Sequence, residues 1–241
     1  MTSPAILQLK SLTKSFGSFT AVDGVDLDID EGEFFTIVGP SGSGKTTMLR
    51  MLAGLEQPTS GDILLKGRRI NDIPANRRPT CMVFQSLALF PHRSVGQNIE
   101  FPLKMRGIGR EARRERAMEL LRLLRLPEAY YGKNVTQCSG GERQRVALAR
   151  CLVRDRPVLL LDEPFAALGP ALRREMLDLI ADIHRERAMT VLLVTHQPDD
   201  ARRIAARTAF VHDGRILALR PTAALLGATD IPELRDYLGE V

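Results

Sequence analysis

A glycine-rich stretch from Gly39 to Thr47, reading GPSGSGKTT, is the clearest chemical signal in the sequence. It matches the pattern G-x-x-x-x-G-K-[ST], and it stands between an apolar run, Phe34–Val38, and the helical spacing of residues 48–53. Glycine lets such a loop point successive N–H groups at phosphate oxygens, and the following helix adds its positive end. Lys45 can reach the β- and γ-phosphates, and the Thr46 hydroxyl can ligate Mg²⁺. A plain turn would not require Lys-Thr at its end, so the stretch predicts a nucleotide site.

Two carboxylates follow a second apolar run. Residues 158–161 read VLLL, the composition of a strand buried inside a parallel sheet, and Asp162 and Glu163 come directly after it. Ligands of open α/β sheets bind at the carboxyl ends of the strands. Asp162 can therefore hold Mg²⁺ or its water, and Glu163 can orient or deprotonate an attacking water. A purely structural helix cap is the alternative for this pair.

Two further side chains, His196 and Phe16, are candidates with an ordinary structural alternative, and Gln85 ends another strand pattern. His196 follows the apolar strand pattern of residues 190–195, and Gln85 follows that of residues 81–84. A lone histidine is usually structural, but this one leaves a strand in the same way as Glu163. Phe16 stands in the segment KSFGSFTAV, where an isolated aromatic is more often part of a core than a ligand contact.

The tetrad Ser139-Gly140-Gly141-Glu142 opens a strongly helical stretch. Ser139 with Glu142 three residues later has the spacing of a capping box, which is the structural interpretation. Two adjacent glycines are more than a cap requires, and they leave backbone N–H groups free for an anion.

The length of 241 residues is enough for one large α/β domain or one with a modest inserted subdomain. The composition, 44% hydrophobic and 26% charged, is that of a soluble globular protein. No apolar run approaches the roughly 18–20 residues that span a bilayer, and the N-terminus lacks a signal-peptide layout, so we expect a cytosolic chain. The three cysteines, without C-x-x-C spacing, predict free thiols. The net charge of +5 is spread along the chain, and its densest cluster, residues 110–116, interleaves arginine with glutamate. We therefore expect a solvated helix face there and no nucleic-acid partner.

The order of elements predicts a helical insertion within an α/β core. Apolar residues adopt helical spacing from Pro91 to Leu126, while strand patterns dominate before and after. Strands of residues 5–10 and 25–29 are predicted near the N-terminus, with Gly17 and Gly24 interrupting the link between them. Asp213-Gly214 predicts a two-residue hairpin turn, and the tail after it contains helical pieces and no further domain.

Taken together, the loop 39–47, Gln85, SGGE, LLLDEP and VTH resemble the ATP-binding subunit of ABC transporters over nearly the whole chain. The resemblance implies an α/β P-loop NTPase fold with a mixed sheet core, an N-terminal antiparallel β subdomain and an inserted helical subdomain. It further implies one domain over residues 1–241. The catalytic core would comprise residues 1–86 and 156–220, the helical subdomain about 87–155, and a short helical tail 221–241.

The resemblance assigns roles and implies ATP and Mg²⁺ as cofactors. Glu163 corresponds to the catalytic carboxylate, Gln85 to the residue that senses Mg²⁺ and the membrane partner, and His196 to the switch histidine at the γ-phosphate. Phe16 matches the aromatic that stacks on adenine. Thr46, Gln85 and Asp162 form the implied metal set. The implied nucleotide contacts are Phe16, Ala21, Gly39, Pro40, Ser41, Gly42, Ser43, Gly44, Lys45, Thr46, Thr47, Ser139, Gly140, Gly141 and Glu142.

In that family two subunits pair head to tail, so that residues 139–142 of one close over the ATP held by the other. The finer resemblance is to bacterial importers of the polyamine, iron and sugar type around residues 82–107, and of the thiamine type around residues 143–176 and in the short C-terminus. It implies a homodimer with two membrane permease subunits and a periplasmic solute-binding protein, at the cytoplasmic face of the inner membrane. The solute would be of the thiamine or polyamine type. The alternatives are a soluble ABC-type ATPase acting on nucleic acid or ribosomes, and a P-loop kinase.

Three residues depart from the family pattern. Cys138 replaces the usual leucine and Glu142 the usual glutamine of the signature segment, and neither change looks damaging. Gly169 replaces the aspartate of the D-loop. Glycine is an adequate helix cap, within a few tenths of a kcal/mol, but it supplies no carboxylate at the dimer seam. We expect the coupling between two ATP sites, rather than ATP binding, to be affected.

Overall fold

The computed structural model describes residues 5–239 and is built around a six-stranded mixed sheet. Its strand order is β10-β9-β3-β8-β7-β6, parallel except for the antiparallel edge pair β9–β10. The strands are β3 (Phe34–Val38), β6 (Thr80–Val83), β7 (Val158–Asp162), β8 (Thr190–Val194), β9 (Arg207–His212) and β10 (Arg215–Pro221). Every residue of β3, β7 and β8 is buried, because both faces of this parallel sheet are covered.

A four-stranded antiparallel sheet in the order β2-β1-β4-β5 packs beside it. Its strands are β1 (Ala5–Phe16), β2 (Phe19–Asp30), β4 (Ser60–Leu65) and β5 (Arg68–Arg69). The prediction that Gly24 lies in a link between β1 and β2 was wrong, since both strands are longer and meet at a tight turn next to Gly17. Gly24 lies inside β2 with a φ of 60°, at a register irregularity between the two strands. Glycine with a positive φ occurs in β-bulges as well as in turns, so the sequence alone does not distinguish the two.

Helices cover the sheets and fill the segment between β6 and β7. They are α1 (Lys45–Ala53), α2 (Val95–Met105), α3 (Arg110–Leu123), α4 (Gly140–Leu152), α5 (Pro170–Arg187), α6 (Pro198–Ile204), α7 (Thr222–Leu225) and α8 (Pro232–Leu238), with 3₁₀ turns at Glu128–Gly132 and Val135–Gln137. One hydrophobic core joins α2–α5 to one face of the mixed sheet, and a second lies between α1, the antiparallel sheet and the other face. Within residues 5–239, no helix is long and apolar enough to cross a membrane.

This architecture confirms the predicted α/β fold with its mixed core sheet, antiparallel sheet and intervening helices. The hairpin turn at Asp213-Gly214 is confirmed between β9 and β10. The three cysteines are free thiols, and all three are buried. The exact division into catalytic core, helical subdomain and tail stays a prediction.

A buried arginine fastens the helix that follows the glycine-rich loop. Arg78 is fully buried, and its guanidinium donates hydrogen bonds to the carbonyl oxygens of Met51 and Leu52 at the end of α1, and to those of Asn71 and Ile73. Burial lowers the pKa of this guanidinium, and the charge of Asp72 opposes that effect. A cation at a helix C-terminus complements the negative end of the helix dipole. Arg78 therefore caps α1 from the interior of the protein.

We predict that Arg78→Met destabilises the fold by about 2–4 kcal/mol, because it removes the donor to the Asn71 and Ile73 carbonyl oxygens and one of the donors to those of Met51 and Leu52. For a chain of this size, that corresponds to a melting temperature lower by about 5–15 °C in calorimetry. Arg68→Met, at an exposed arginine on β5, is the matched control and should leave the melting temperature unchanged within about 2 °C. Equal melting temperatures for the two variants would contradict the capping role.

Candidate functional site

The glycine-rich loop connects the end of β3 to the start of α1, as predicted. Two of its glycines are required by close backbone contacts. A Cβ atom on Gly39 would lie 2.0 Å from the Val211 carbonyl oxygen, and one on Gly44 would lie 2.1 Å from that of Ala21. Both have positive φ, 152° and 95°. The loop is thus held tightly against β9 and β2, with its backbone available to face a ligand.

Lys45 lies at the centre of this loop and is buried. Its Nζ donates to the carbonyl oxygens of Gly39 (2.8 Å) and Pro40 (2.7 Å), and lies 3.3 Å from the Ser43 Oγ. Burial lowers the pKa of Lys45, and the nearby carboxylates of Glu163 and Asp162 oppose the shift. The loop therefore holds the cation at the place where a phosphate chain would lie.

The Thr46 hydroxyl donates a hydrogen bond of 2.8 Å to Oδ1 of Asp162. These residues are far apart in sequence, and the bond joins the first turn of α1 to the last residue of β7. Burial raises the pKa of Asp162, whereas the hydrogen bond from Thr46 favours the charged form. A hydroxyl and a carboxylate in contact are the hard oxygen ligands that Mg²⁺ prefers.

Glu163 and His196 form the next pair. Nδ1 of His196 lies 3.2 Å from Oε2 of Glu163, at the carboxyl ends of the neighbouring strands β7 and β8. Glu163 has a φ of 44°, unusual for a residue with a side chain, and its N–H donates to the carbonyl oxygen of Val194. Such a backbone costs on the order of 1–3 kcal/mol, and strain of this kind is found at functional sites.

The structure brings most of the predicted nucleotide contacts around one cleft of about 490 Å³. It is lined by Phe16, Phe19, Ala21, Ser41, Gly42, Ser43, Gly44, Lys45, Thr46, Thr47, Gln85 and Glu163. Asp162 is connected to the cleft by its hydrogen bond with Thr46, and His196 is connected to it by its contact with Glu163. Phe19 was missed in the sequence; it follows Phe16 by three residues and pairs with it across the turn between β1 and β2.

Phe16 is an exposed residue at the rim of this cleft rather than part of a core. The Nζ of Lys14 lies 4.7 Å from the centre of its ring, a cation–π contact that covers part of the ring surface. Lys14 is fixed in turn by Glu56 (2.7 Å) and by the carbonyl oxygen of Gln57 (2.8 Å). The remaining ring surface of Phe16 is open to a flat ligand.

Residues 139–142 do not line the cleft. The predicted capping box is confirmed: the Ser139 hydroxyl accepts from the Glu142 N–H, and the Glu142 carboxylate accepts from the Ser139 N–H. Close packing also favours glycine at position 141, because a Cβ atom there would lie 2.8 Å from the Leu172 side chain. Gly140 is exposed and makes no such contact. Within one chain, this segment is a helix start on the surface.

The residues of the cleft fit a magnesium nucleotide. The loop offers backbone N–H groups and one cation for phosphates, and Thr46 with Asp162 offers oxygen ligands for a hard cation. Gln85 is exposed on the same cleft, and its side chain carries an oxygen of the same hard type. Phe16 and Phe19 offer apolar area for a base.

Comparison with known proteins agrees with this geometry. Residues 22–166, more than half of the chain, match the family described as ABC transporter. The chain is 44% identical over 238 residues to the spermidine/putrescine import ATP-binding protein PotA of Pseudomonas aeruginosa, covering 99% of this chain and 65% of that protein. It is 42% identical over 240 residues to the Fe(3+) ions import ATP-binding protein FbpC 1 of Haemophilus influenzae, covering 100% of this chain and 73% of that protein. The chain thus spans just under two thirds of the polyamine-type relative.

Two solved structures share the fold. One is the dimeric structure of MJ0796, described as a bacterial ABC transporter cassette, with a TM-score of 0.81 and 34% identity, covering 90% of this chain and 98% of that one. The other is cbiO1 from Clostridium perfringens, described as part of the ABC transporter complex cbiONQ, with a TM-score of 0.82 and 27% identity, covering 91% and 90%. The matched residues include the glycine-rich loop, Gln85, the capping box and the two carboxylates after β7. The chain belongs to the ABC transporter family, as one of its ATP-binding cassettes.

Proposed function

We propose that this chain is the ATP-hydrolysing subunit of a bacterial ABC importer. The observation that carries the proposal is the joining of four side chains at one cleft. Lys45 belongs to the glycine-rich stretch, and its Nζ is held by the loop backbone. The Thr46 hydroxyl donates a hydrogen bond of 2.8 Å to Asp162, and Glu163, the next residue, lines the same cleft. That is the chemistry of phosphoryl transfer to water: a cation for the phosphates, metal ligands, and a carboxylate for the nucleophile.

Each residue would have a distinct task in hydrolysis. The loop backbone and Lys45 would bind the phosphate chain and stabilise the charge that develops on it. Bound Mg²⁺, held by Thr46 and Asp162, would neutralise charge on the β- and γ-phosphate oxygens. Glu163 would accept a hydrogen bond from the attacking water and orient it, and His196, 3.2 Å from Glu163, would hold the Glu163 carboxylate or contact the terminal phosphate.

The names of the relatives support import as the process that hydrolysis drives. Two relatives reported above carry the names of polyamine and iron importers. We accordingly propose that the partners are two integral membrane permease subunits and a periplasmic solute-binding protein. The chain would act as a head-to-tail dimer at the cytoplasmic face of the inner membrane, and the solute would be of the polyamine or thiamine type. No observation favours the alternative of a soluble ATPase acting on nucleic acid or ribosomes.

Co-purification tests this assignment. A tagged chain, extracted with detergent from membranes of cells that also express its permease subunits, should elute with those integral membrane subunits. Its ATPase activity should rise when the cognate solute-binding protein is loaded with solute. Recovery in the soluble fraction together with ribosomes or nucleic acid, and without membrane subunits, would replace the importer assignment by the soluble alternative.

Turnover should depend on Glu163. We predict that Glu163→Gln keeps ATP affinity within about threefold but lowers ATP hydrolysis by about 10²-fold or more, the range for loss of a general base. Glutamine matches the shape of the side chain but cannot accept a proton. Glu186→Gln, at an exposed glutamate near the end of α5, is the control and should hydrolyse ATP at the wild-type rate. Near-normal hydrolysis by Glu163→Gln would remove Glu163 from this role.

The D-loop residue Gly169 lies at the start of α5 and is exposed. It is the N-cap of α5 with a φ of −65°, and a Cβ added there would have no atom within 4 Å. Aspartate therefore fits without strain and would cap the helix. A carboxylate at this surface could also accept a hydrogen bond from a second subunit, and a charged bond of that kind contributes roughly 1.5–3 kcal/mol. We propose that its absence weakens the ATP-bound dimer.

We predict that Gly169→Asp raises the ATP-dependent dimer fraction in the Glu163→Gln background and raises turnover in the otherwise wild-type protein. Sedimentation velocity with and without ATP measures the first effect. Gly109→Asp is a matched control, since Gly109 is the N-cap of α3 with equally open space, so that it adds a helix cap away from the D-loop. If both variants dimerise like the parent, the missing carboxylate has no effect on the dimer.

A further inference from the structure

Two of the three cysteines lie beside each other in the core between β6 and α4. Alternation along β6 turns Cys81 and Val83 to the face of the mixed sheet that α4 covers, and Met82 to the opposite face. Cys151, near the C-terminal end of α4, packs into the same core as Cys81. Its Sγ donates to the carbonyl oxygen of Met82, the residue directly after Cys81, at 3.0 Å. The strand and the helix thus bring the two thiols into contact.

This contact favours a thiolate at one of the two sulfurs. Contact with the Cys81 thiol lowers the pKa of Cys151, burial opposes that shift, and the charges of Arg150 and Arg154 add to the lowering. The same contact raises the pKa of Cys81, since that thiol retains the proton that the pair shares. The thiolate is the form of cysteine that attacks an oxidant, and cationic neighbours are typical of reactive cysteines. The pair therefore differs from buried cysteines that only fill space.

A cavity gives small molecules access to the pair. It has a volume of about 270 Å³, and Cys81 lies in its lining together with residues 155–157 before β7 and 188–190 at the start of β8. The exposed residues Glu31 and Asp155 also line it, so the cavity is open to solvent. A single water needs only roughly 10–15 Å³ of such volume, so a molecule as small as hydrogen peroxide fits easily. The cavity lies at the amino ends of the parallel strands, whereas the nucleotide cleft lies at their carboxyl ends.

The third cysteine provides an internal reference. Cys138 directly precedes Ser139, the N-cap of α4, whereas Cys151 lies near the other end of this helix. For a helix of this length the two positions are about 20 Å apart. All three cysteines of the sequence belong to the described residues, and Cys138 is remote from the other two. Burial raises the pKa of Cys138.

We propose that Cys81 and Cys151 form a site of reversible oxidation, at which a small hydroperoxide converts the two thiols into one intramolecular disulfide. A thiolate sulfur first attacks one oxygen of hydrogen peroxide; the O–O bond breaks, and the departing hydroxide takes up the proton that the thiol released. The second sulfur then attacks the resulting sulfenic acid, so that an S–S bond forms, the S–O bond breaks and a second water leaves. The two thiols lose two electrons in total, and the peroxide gains them.

The disulfide would connect two segments that lead to different parts of the chain's proposed site. β6 ends two residues before Gln85, and α4 begins at the capping box of Ser139 and Glu142. Neither cysteine lines the nucleotide cleft. Oxidation would therefore fasten the strand before Gln85 to the helix that follows Ser139 while leaving the glycine-rich loop unmodified. The inference stands independently of the nucleotide function.

Peptide mapping of the full chain after peroxide treatment tests the proposal. The folded wild type is treated with hydrogen peroxide, at a dose and time that consume all three thiols of the chain unfolded in urea. Remaining thiols are then alkylated in denaturant, and the digested chain is analysed by mass spectrometry without reductant. We expect two of the three thiols to be lost, with one pair of peptides joined between Cys81 and Cys151. Dithiothreitol should restore all three thiols.

Two variants assign the sulfurs. Cys138→Ser keeps the pair and should form the disulfide to the same extent as the wild type, whereas Cys151→Ser should form no intramolecular disulfide. The wild-type peptide map decides the pairing even if a variant fails to fold. Three intact thiols in the treated wild type, or a disulfide that includes Cys138, would overturn the proposal. A disulfide between two chains, visible as a dimer on a non-reducing gel, would overturn the intramolecular assignment.

Discussion

The hydrogen bond between the Thr46 hydroxyl and the Asp162 carboxylate is the contact on which the rest of the site depends. It connects the first turn of α1 to the end of β7, two elements that are brought together only when the mixed sheet has formed. Burial raises the pKa of Asp162, and a hydrogen-bond donor at the carboxylate opposes that shift. Thr46 supplies that donor within the protein. The same two oxygens would hold Mg²⁺, so the structural bond keeps the metal ligands in place.

Close backbone contacts make the surrounding frame rigid. Gly39 and Gly44 allow the loop to lie against Val211 and Ala21, where any side chain would collide with a carbonyl oxygen. On the other side of α1, Arg78 satisfies the carbonyl oxygens of its last turn. The helix that carries Lys45 and Thr46 is thus fastened at both ends, and little rearrangement is needed for these groups to meet a phosphate.

The sequence predicted the elements around the cleft well, because local pattern determines them. A loop of fixed spacing, a buried apolar strand and two carboxylates at its end can be recognised one residue at a time, and the loop, β7 and the capping box at Ser139 were predicted correctly. The misses share a different cause. Gly24 was placed in a link because the register between β1 and β2, a pairing along two whole strands, is what carries β2 through this glycine. Phe19 was overlooked because only its pairing with Phe16 across the hairpin shows that both residues lie at the cleft. Arg78 gave no signal either, because its partners are backbone carbonyl groups of other segments.

Two segments, the start of α4 and the D-loop at Gly169, do not contribute to the cleft of their own chain. At the start of α4, the Glu142 carboxylate is engaged by the Ser139 N–H and by the Tyr130 hydroxyl, 3.1 Å away. Its charge is therefore used within its own chain, and the exposed residues at this helix start are Ser139 and Gly140. The electric field of a helix end weakens within one turn. The backbone N–H groups at Gly140 can therefore assist a phosphate only if a second subunit brings that phosphate within contact distance. Gly169 has no side chain and so offers no carboxylate to bind a second subunit. Under the proposed importer function, an isolated chain would bind nucleotide through its own loop but would be slow to assemble a complete hydrolytic site, and the proposed membrane subunits would contribute the proximity that its own surface does not.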